Sequence, residues 1–408
     1  MRPKYIYLMA TSFWYMSWGI QSVVFAWLVT MVMREPAERV GTAQMALLLP
    51  GTLLILIAGA TADRVGLLKQ AVTAQLLAAI FPCLLALALF FGMQSFGLMI
   101  VYALFMGCFS AFLTPARDGL LSYVADGDVQ KTVMQATLCQ FGFQIIGYSL
   151  AGFADQLGAE IVLIAQGFFL LLGVAAYSQL NIGTKNPTEI PRGGESKGML
   201  LSLREGAGTV IRNPLMRIIV VQNIAMGCFF MGAFIVCFPL VIREVYDGSS
   251  SDLALMSAFN SLGLVVTVLV LLRVGFVARA GKALILAQIF GSLVLFLSGW
   301  VEDLALFIFL VFVWGICGGT SMPMSRTLMQ QLAPPEQVAR VMSFYAFSFM
   351  GAGPVGALFC GYMSEYIGPQ ATIMLCAVMM FLIVLLLTAL SPLWTSKLEK
   401  HSEPLVAS

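Results

Sequence analysis

The sequence has little charge: 22 basic and 20 acidic residues stand in a chain of 408 that is 60% hydrophobic, with a mean hydropathy of +0.93. A soluble domain carries about 25% charge, so this chain cannot cover itself with a water-compatible surface and reads as an integral membrane protein. It also lacks an excess of either sign, and its aromatics lie in apolar runs, which leaves no footprint for nucleic acid. Histidine is nearly absent. The single copy, His401, falls in a polar tail, which excludes histidine catalysis or a histidine proton relay inside the membrane. The eight cysteines (83, 108, 139, 228, 237, 317, 360 and 376) fall in apolar runs without CxxC spacing. They read as small core residues and imply neither a disulfide framework nor a metal site. In-plane nucleophiles, paired acids and metal ligands are missing too, so no enzyme chemistry and no cofactor is expected. A cleavable leader is not expected either, because Arg2 and Lys4 open onto an apolar run of about 27 residues with no small-residue cleavage site.

What is present is a series of apolar runs, each long enough to cross roughly 30 Å of hydrocarbon with about 20 residues. They lie near 6–33, 40–62, 70–92, 96–124, 131–153, 158–180, 215–243, 251–273, 281–300, 303–328, 338–365 and 369–391. Twelve runs predict an all-α membrane protein with twelve transmembrane helices. The one long interruption, 181–214, is rich in Pro, Gly and charge, so the expected organisation is a six-helix bundle at 1–180, a linker at 181–214, a second bundle at 215–395 and a tail at 396–408. Within the linker, Met199–Arg212 fits a short amphipathic helix on the membrane surface or a loose loop. Placing both termini and the linker on one side collects 19 of the 22 Lys and Arg there, leaving Arg34, Arg39 and Arg243 opposite, while the acids split ten and ten. That bias is the positive-inside pattern, which predicts cytoplasmic termini.

The two halves repeat each other at an offset of 209 residues. Arg34-Glu35 falls on Arg243-Glu244 and Arg64-Val65-Gly66 on Arg273-Val274-Gly275. Arg117 falls on Arg326, Lys131 on Arg340, and Gly142, Gly147 and Gly152 on Gly351, Gly356 and Gly361. A shift by six spans makes the halves parallel repeats, an architecture associated with alternating access to a solute site between them near the midplane.

The turn after the second run reads Gly59-Ala-Thr-Ala-Asp63-Arg64-Val-Gly66-Leu-Leu-Lys69. It resembles the signature cytoplasmic loop of the major facilitator superfamily. Thr114-Pro115-Ala116-Arg117-Asp118 at the end of the fourth run and Leu332-Ala-Pro334-Pro335-Glu336-Gln-Val-Ala-Arg340-Val-Met-Ser343 after the tenth are similar to the exporter branch with the enterobactin exporter and macrolide efflux pumps. The resemblance implies the major facilitator fold in an inner (cytoplasmic) membrane. It also implies a cytoplasmic gate in which Asp63 docks on the eleventh span, with Gly59, Arg64, Gly66, Lys69, Arg117 and Arg340 around it. Without the family, Gly66 permits a tight turn and Asp63 is an acid placed to cap a helix end. The second copy has Leu272 where the first has Asp63, so the lock is one-sided. Antiporters of the superfamily carry Gly-Pro in the fifth span. Here Tyr148 follows Gly147, and the Gly-Pro pair sits in the eleventh span, in Gly351-Ala-Gly353-Pro354-Val-Gly356, which reads as a hinge and packing segment.

On the first span, Trp14, Trp18, Gln21 and Phe25 share one helical face. The offset carries that face to Asn223, Gly227, Phe230 and Phe234 on the seventh. Two aromatic faces with an amide each suit a cavity for a large, partly apolar solute, since an unpaired amide toward lipid is costly. Gln222, Trp314 and Gln144 are further candidates. The centres of most spans carry no ionisable group, and the Arg that many drug/proton antiporters keep early in the fourth span is missing. Coupling to protons would fall to Asp118, or to the carboxylates Glu35, Asp155, Glu244 and Glu365 at the other end. The expectation is a monomeric secondary transporter, embedded among membrane lipids, that exports an amphipathic small molecule. A lipid or lysolipid transporter of the same fold is the alternative. A membrane sensor is the remote one, for which no loop is long enough to hold a signalling domain.

Overall fold

The computed structural model describes residues 3–125, 129–180, 199–274, 277, 279–334, 337–389 and 394, without the side chains of Leu56, Asp63, 129–131, 199–204 and Ala339. The linker stretch 181–198, Gly275, Pro335, Glu336, His401 and all of the tail at 396–408 lie outside the described residues, and the side chain of Asp63 is among those left out. The described chain is helical throughout, without a strand. The helices are α1 (Pro3–Val32), α2 (Ala37–Val65), α3 (Leu67–Phe90), α4 (Phe96–Val124), α5 (Val129–Ala151), α6 (Ala159–Ser178), α7 (Met199–Arg212), α8 (Pro214–Glu244), α9 (Ser250–Val274), α10 (Ala280–Ser298), α11 (Leu304–Leu332), α12 (Val338–Ile367) and α13 (Pro369–Ala389). Ten of these are long and apolar enough to cross a membrane. The other long helices, α2 and α5, complete the twelve. In α5 the apolarity is lowered by Gln135, Gln140 and Gln144.

Local chemistry explains where these helices begin and stop. Ser95 caps α4 by accepting from Leu98 N (3.3 Å), and Asp303 caps α11 by accepting from Leu306 N (2.8 Å). Asn213 accepts from Leu215 N and Met216 N, and Pro214 follows at the first helical position, where its missing N–H costs nothing. Gly66, with φ of 95°, is the single residue between α2 and α3, as the signature loop requires. Gly158 and Gly368 (φ of 88° and 84°) play the same part before α6 and α13.

The pairing of helices repeats along with the sequence. In the first half α1 packs on α5 and α6, α2 on α4, and α3 on α4 and α6; in the second, α8 packs on α12 and α13, α9 on α11, and α10 on α11 and α13. The repeated glycines sit at these crossings. A Cβ on Gly147 would lie 2.1 Å from the Met16 carbonyl oxygen, and one on Gly356 would lie 2.2 Å from that of Cys228, so helix backbones touch at both places. The halves meet through α2 with α12 and α5 with α9.

Met199–Arg212 is helical as α7, and this helix does not simply lie on a surface. It docks on the start of α12, where a Cβ on Gly206 would be 2.5 Å from the Arg340 carbonyl oxygen. Glu205 pairs with Arg340 at 2.5 Å, and Thr209 hydrogen-bonds Gln337. The face with the start of α1 and with α7 is called proximal below, and the opposite face, with Arg34, Asp155, Arg243 and Glu365, distal.

Candidate functional site

The interior of the first half is organised by amides and a phenol. Gln21 on α1 accepts from Gln166 Nε2 on α6 (2.7 Å) and from the Tyr102 hydroxyl on α4. Tyr102 also reaches Gln166 Oε1 (3.3 Å), Ser17 Oγ donates to the Gln166 carbonyl (3.1 Å), and the Phe25 and Tyr102 rings lie 6.2 Å apart. All of these side chains are buried, and Gln21 Nε2 has no partner among the described residues. A polar network in a low-dielectric interior has a high stake in every bond. The sequence face Trp14, Trp18, Gln21 and Phe25 therefore splits. Trp14 and Trp18 stack on each other (6.2 Å between centroids), whereas Gln21 and Phe25 turn to α4 and α6 inside their own bundle.

The equivalent region of the second half is aromatic. Trp314 on α11 meets Phe230, Phe234 and Phe238 on α8 with centroids 5.5, 6.0 and 5.7 Å away. Phe238 continues to Phe307 (5.3 Å) and Phe307 to Tyr246 (5.4 Å). Tyr246, in the loop after α8, donates to the Val301 carbonyl (2.6 Å). Burial, with Asp303 and Glu302 adding, pushes its phenol up to about 12, so it stays a donor at any physiological pH. Asn223 is tied to α12 through the Tyr345 carbonyl (2.9 Å) and Ser348 Oγ (2.8 Å). Gln222 is buried, and neither of its amide atoms has a partner among the described residues; Gln144 donates to Tyr148 OH (2.7 Å) on its own helix.

Helices α1 and α8 share an irregularity. Each contains π-helical turns, at Leu28–Val32 in α1 and at Met226–Met231 and Ala233–Cys237 in α8. Phe230 and Phe234 lie in those turns. Such turns concentrate at functional sites.

At the proximal face, Arg117 is 7% exposed. Its guanidinium lies over the Tyr15 ring (4.8 Å) and reaches Asp118 Oδ1 at 3.4 Å, and Tyr7 OH donates to its backbone carbonyl (3.2 Å). Asp118 is 66% exposed. Arg64 and Lys69 are exposed, Gly59 lies in the last turns of α2, and Arg340 is taken up by Glu205 of α7. The expected gate residues thus share one face, with Arg117 and Arg340 each given to a partner that the motif does not contain. In the hinge segment, Gly356 makes a backbone contact, a Cβ on Gly353 would press on Met231 Sδ (3.2 Å) and Leu48 Cδ1 (3.3 Å), and Gly351 has only ordinary side-chain neighbours. Of the cysteines, Cys83 is exposed, so it is no core residue. Cys237, Cys360 and Cys376 are buried, with the last two sulfurs 3.6 Å apart. No group of three or more potential ligands able to hold a metal occurs among the described residues.

The residues that sequence reasoning missed are Tyr102, Gln166, Tyr7, Tyr15, Phe238 and Phe307. Tyr102 and Gln166 carried a signal, as polar residues inside apolar runs. The aromatics carried none.

The family model for the Major Facilitator Superfamily matches residues 7–357 and again 282–404. Over 377 residues the chain is 24% identical to the multidrug efflux pump Tap of Mycolicibacterium fortuitum, covering 90% of each protein. Over 294 residues, 68% of each, it is 23% identical to the uncharacterized MFS-type transporter YfiS of Bacillus subtilis strain 168. In fold it is similar to a single-site mutant of the nucleoside transporter NupG, with a TM-score of 0.74 and 14% identity across 95% of this chain and 99% of that one. A bacterial homologue of the human lysosomal transporter Spinster, solved inward-facing and unoccupied, gives a TM-score of 0.69 and 12% identity across 96% of each chain.

Proposed function

Because the chain belongs to the Major Facilitator Superfamily, and is therefore a multi-pass membrane transporter and not an enzyme, we propose that it exports an amphipathic small molecule, drug-like or siderophore-like, by alternating access. The observation that carries this reading is the chemistry of the two halves. From Tyr5 to Met33 on α1, and from Ile218 to Ile242 on α8, there is no charged residue. Amides and a phenol gather on one side and aromatic rings on the other. Such an interior accommodates a solute with an apolar body and a few polar groups, and leaves a strongly charged one desolvated at high cost. The likeness to a multidrug efflux pump over nine-tenths of both chains supports the direction of transport.

In this reading the proximal face is cytoplasmic, as the bias of Lys and Arg favours, the membrane is the cytoplasmic one, and the protein works as a monomer. Asp63 closes that face by docking on the start of α12, with Gly59, Arg64, Gly66, Lys69, Arg117 and Arg340 shaping the contact. Trp14, Trp18, Gln21, Phe25, Gln222, Asn223, Phe230, Phe234 and Trp314 face or support the solute, and Gly351, Gly353, Pro354 and Gly356 let α12 flex. Proton coupling is assigned to Asp118.

The test compares a deletion strain with an overproducer. The overproducer should tolerate amphipathic drugs better or release more siderophore, and equal tolerance together with equal extracellular siderophore overturns the reading. In proteoliposomes, Asp118→Asn should abolish pH-gradient-driven transport while leaving counterflow intact, and undiminished driven transport removes Asp118 from the coupling step.

A further inference from the structure

The bonds that tie the halves together at the distal face have a repeated form. Asp155, just after α5, accepts from Ser250 N through Oδ2 (2.5 Å). Ser250 is the first residue of α9, in the other half. Asp155 Oδ1 accepts from Trp27 Nε1 on α1 (2.9 Å), and Asp155 N donates to Ser250 Oγ (3.1 Å). Glu365, near the end of α12, accepts from Ala37 N through Oε2 (2.9 Å). Ala37 is the first residue of α2, again in the other half. Each carboxylate thus fills a free N–H at the start of a helix that it does not belong to, where the helix dipole favours negative charge.

The two acids are equivalent by the internal repeat. They stand 210 residues apart, one more than the general offset, and so do the turn glycines Gly158 and Gly368 that follow them. The halves also approach closely at the same two places. A Cβ on Gly152 would lie 3.0 Å from Ala254 Cβ, and one on Gly361 would lie 2.8 Å from Gly41 Cα. The Ser250 and Ser251 hydroxyls donate to the Gly152 carbonyl (3.0 and 2.7 Å). A third tie runs from Arg243 Nη1 to the carbonyls of Thr30 (3.1 Å) and Glu35 (2.8 Å).

We propose that Asp155 and Glu365 are the distal gate residues of the transport cycle, a symmetric pair of latches in which each half holds the other by the N-terminus of one helix. The bonds have to break for the distal face to open. They can reform in a single geometry, because a helix start offers its N–H groups in one direction. The proposal rests on the alternating-access reading above.

Hydrogen–deuterium exchange of the full chain in nanodiscs tests it, with Asp155→Ala, Glu365→Ala and the double variant. Loss of one such cap is expected to speed exchange at the starts of α2 and α9 by about tenfold, and loss of both by more. As the population moves to the distally open form, the start of α12 on the proximal face should become better protected. Asp155→Asn and Glu365→Gln, which keep an acceptor oxygen without the charge, should fall between wild type and the alanine variants. Unchanged exchange at α2 and α9 overturns the latch. Faster exchange at both faces overturns it as well, because the carboxylates then only stabilise the fold. Faster exchange at the distal face with an unaltered proximal face upholds the latch and overturns alternating access.

Discussion

The two halves of the protein share a scaffold and differ in what it encloses. Where the first half has Gln21, Tyr102 and Gln166, the second has Phe230 and Val311 at the offset of 209 and Cys376 at the offset of 210 that holds from Asp155 onward. The three members of one polar network are all replaced by apolar residues, yet glycine crossings are kept at Gly147 and Gly356, with the partner carbonyl shifted from Met16 to Cys228, three residues beyond the position that the offset gives. A close helix crossing needs a residue without a Cβ, so the repeat preserves the glycines. The interior side chains are under no such constraint and diverge. The backbone follows the chemistry, since Phe230 lies in a π turn and Gln21 in regular α-helix.

The largest effect should come from attacking the part held in common. Gly147→Ala and Gly356→Ala each place a methyl group inside van der Waals contact with a carbonyl oxygen, at a cost of about 3 kcal/mol or more. Both should lower the thermal midpoint of the solubilised protein by similar amounts, and a large effect at only one of them breaks the idea of a common scaffold. Next comes the polar network. Gln166→Cys alone leaves Gln21 and Tyr102 short of a partner and should cost about 1–3 kcal/mol. The triple variant Gln21→Phe, Tyr102→Val, Gln166→Cys copies the second half and should recover much of that stability, read in the same melting assay, while transport of the more polar cargoes falls. If the triple variant is no more stable than the single one, the halves are not interchangeable in packing. Trp314→Ala, which removes three ring contacts worth about 0.5–1.5 kcal/mol each in general, is read in transport rather than in melting. It should raise the apparent KM for aromatic cargo by about tenfold with less change for polar cargo, and equal changes for both would erase the distinction between the walls. Smallest is the stability change of Asp118→Asn. Asp118 is 66% exposed and stands 3.4 Å from the buried Arg117, so this long, solvent-screened contact contributes about 0.5 kcal/mol or less and the melting midpoint should hardly move even where driven transport is lost.

The helices were legible in the sequence because each run is long, apolar and bounded by turn residues. The boundaries of α4 at Phe96–Val124 and of α9 at Ser250–Val274 differ from the runs by no more than one residue at either end. The π turns left no trace, since one extra residue per turn leaves composition unchanged. Trp14 to Phe25 was readable as a face, but a helix face does not state which neighbour it meets. Gln21 finds Gln166 at a separation of 145 residues, which no local spacing encodes. Asp155 and Glu365 were visible as carboxylates at one end of the spans. Their equivalence was hidden by the single extra residue that shifts the offset from 209 to 210, and a comparison without gaps does not bridge it. The docking of α7 depends on Gly206, which a loop reading passes over because glycine is equally at home there.

The π turns of α1 and α8 give these helices a way to move without growing or shrinking. A π turn holds one residue more than the α-helical path around it needs, and that surplus can migrate by exchanging a few hydrogen bonds at a time. Every residue it passes is turned by about 100° relative to the rest of the helix. Rings such as Phe230 and Phe234 can in this way be turned while both ends of α8 stay anchored, at Asn213 and at Arg243.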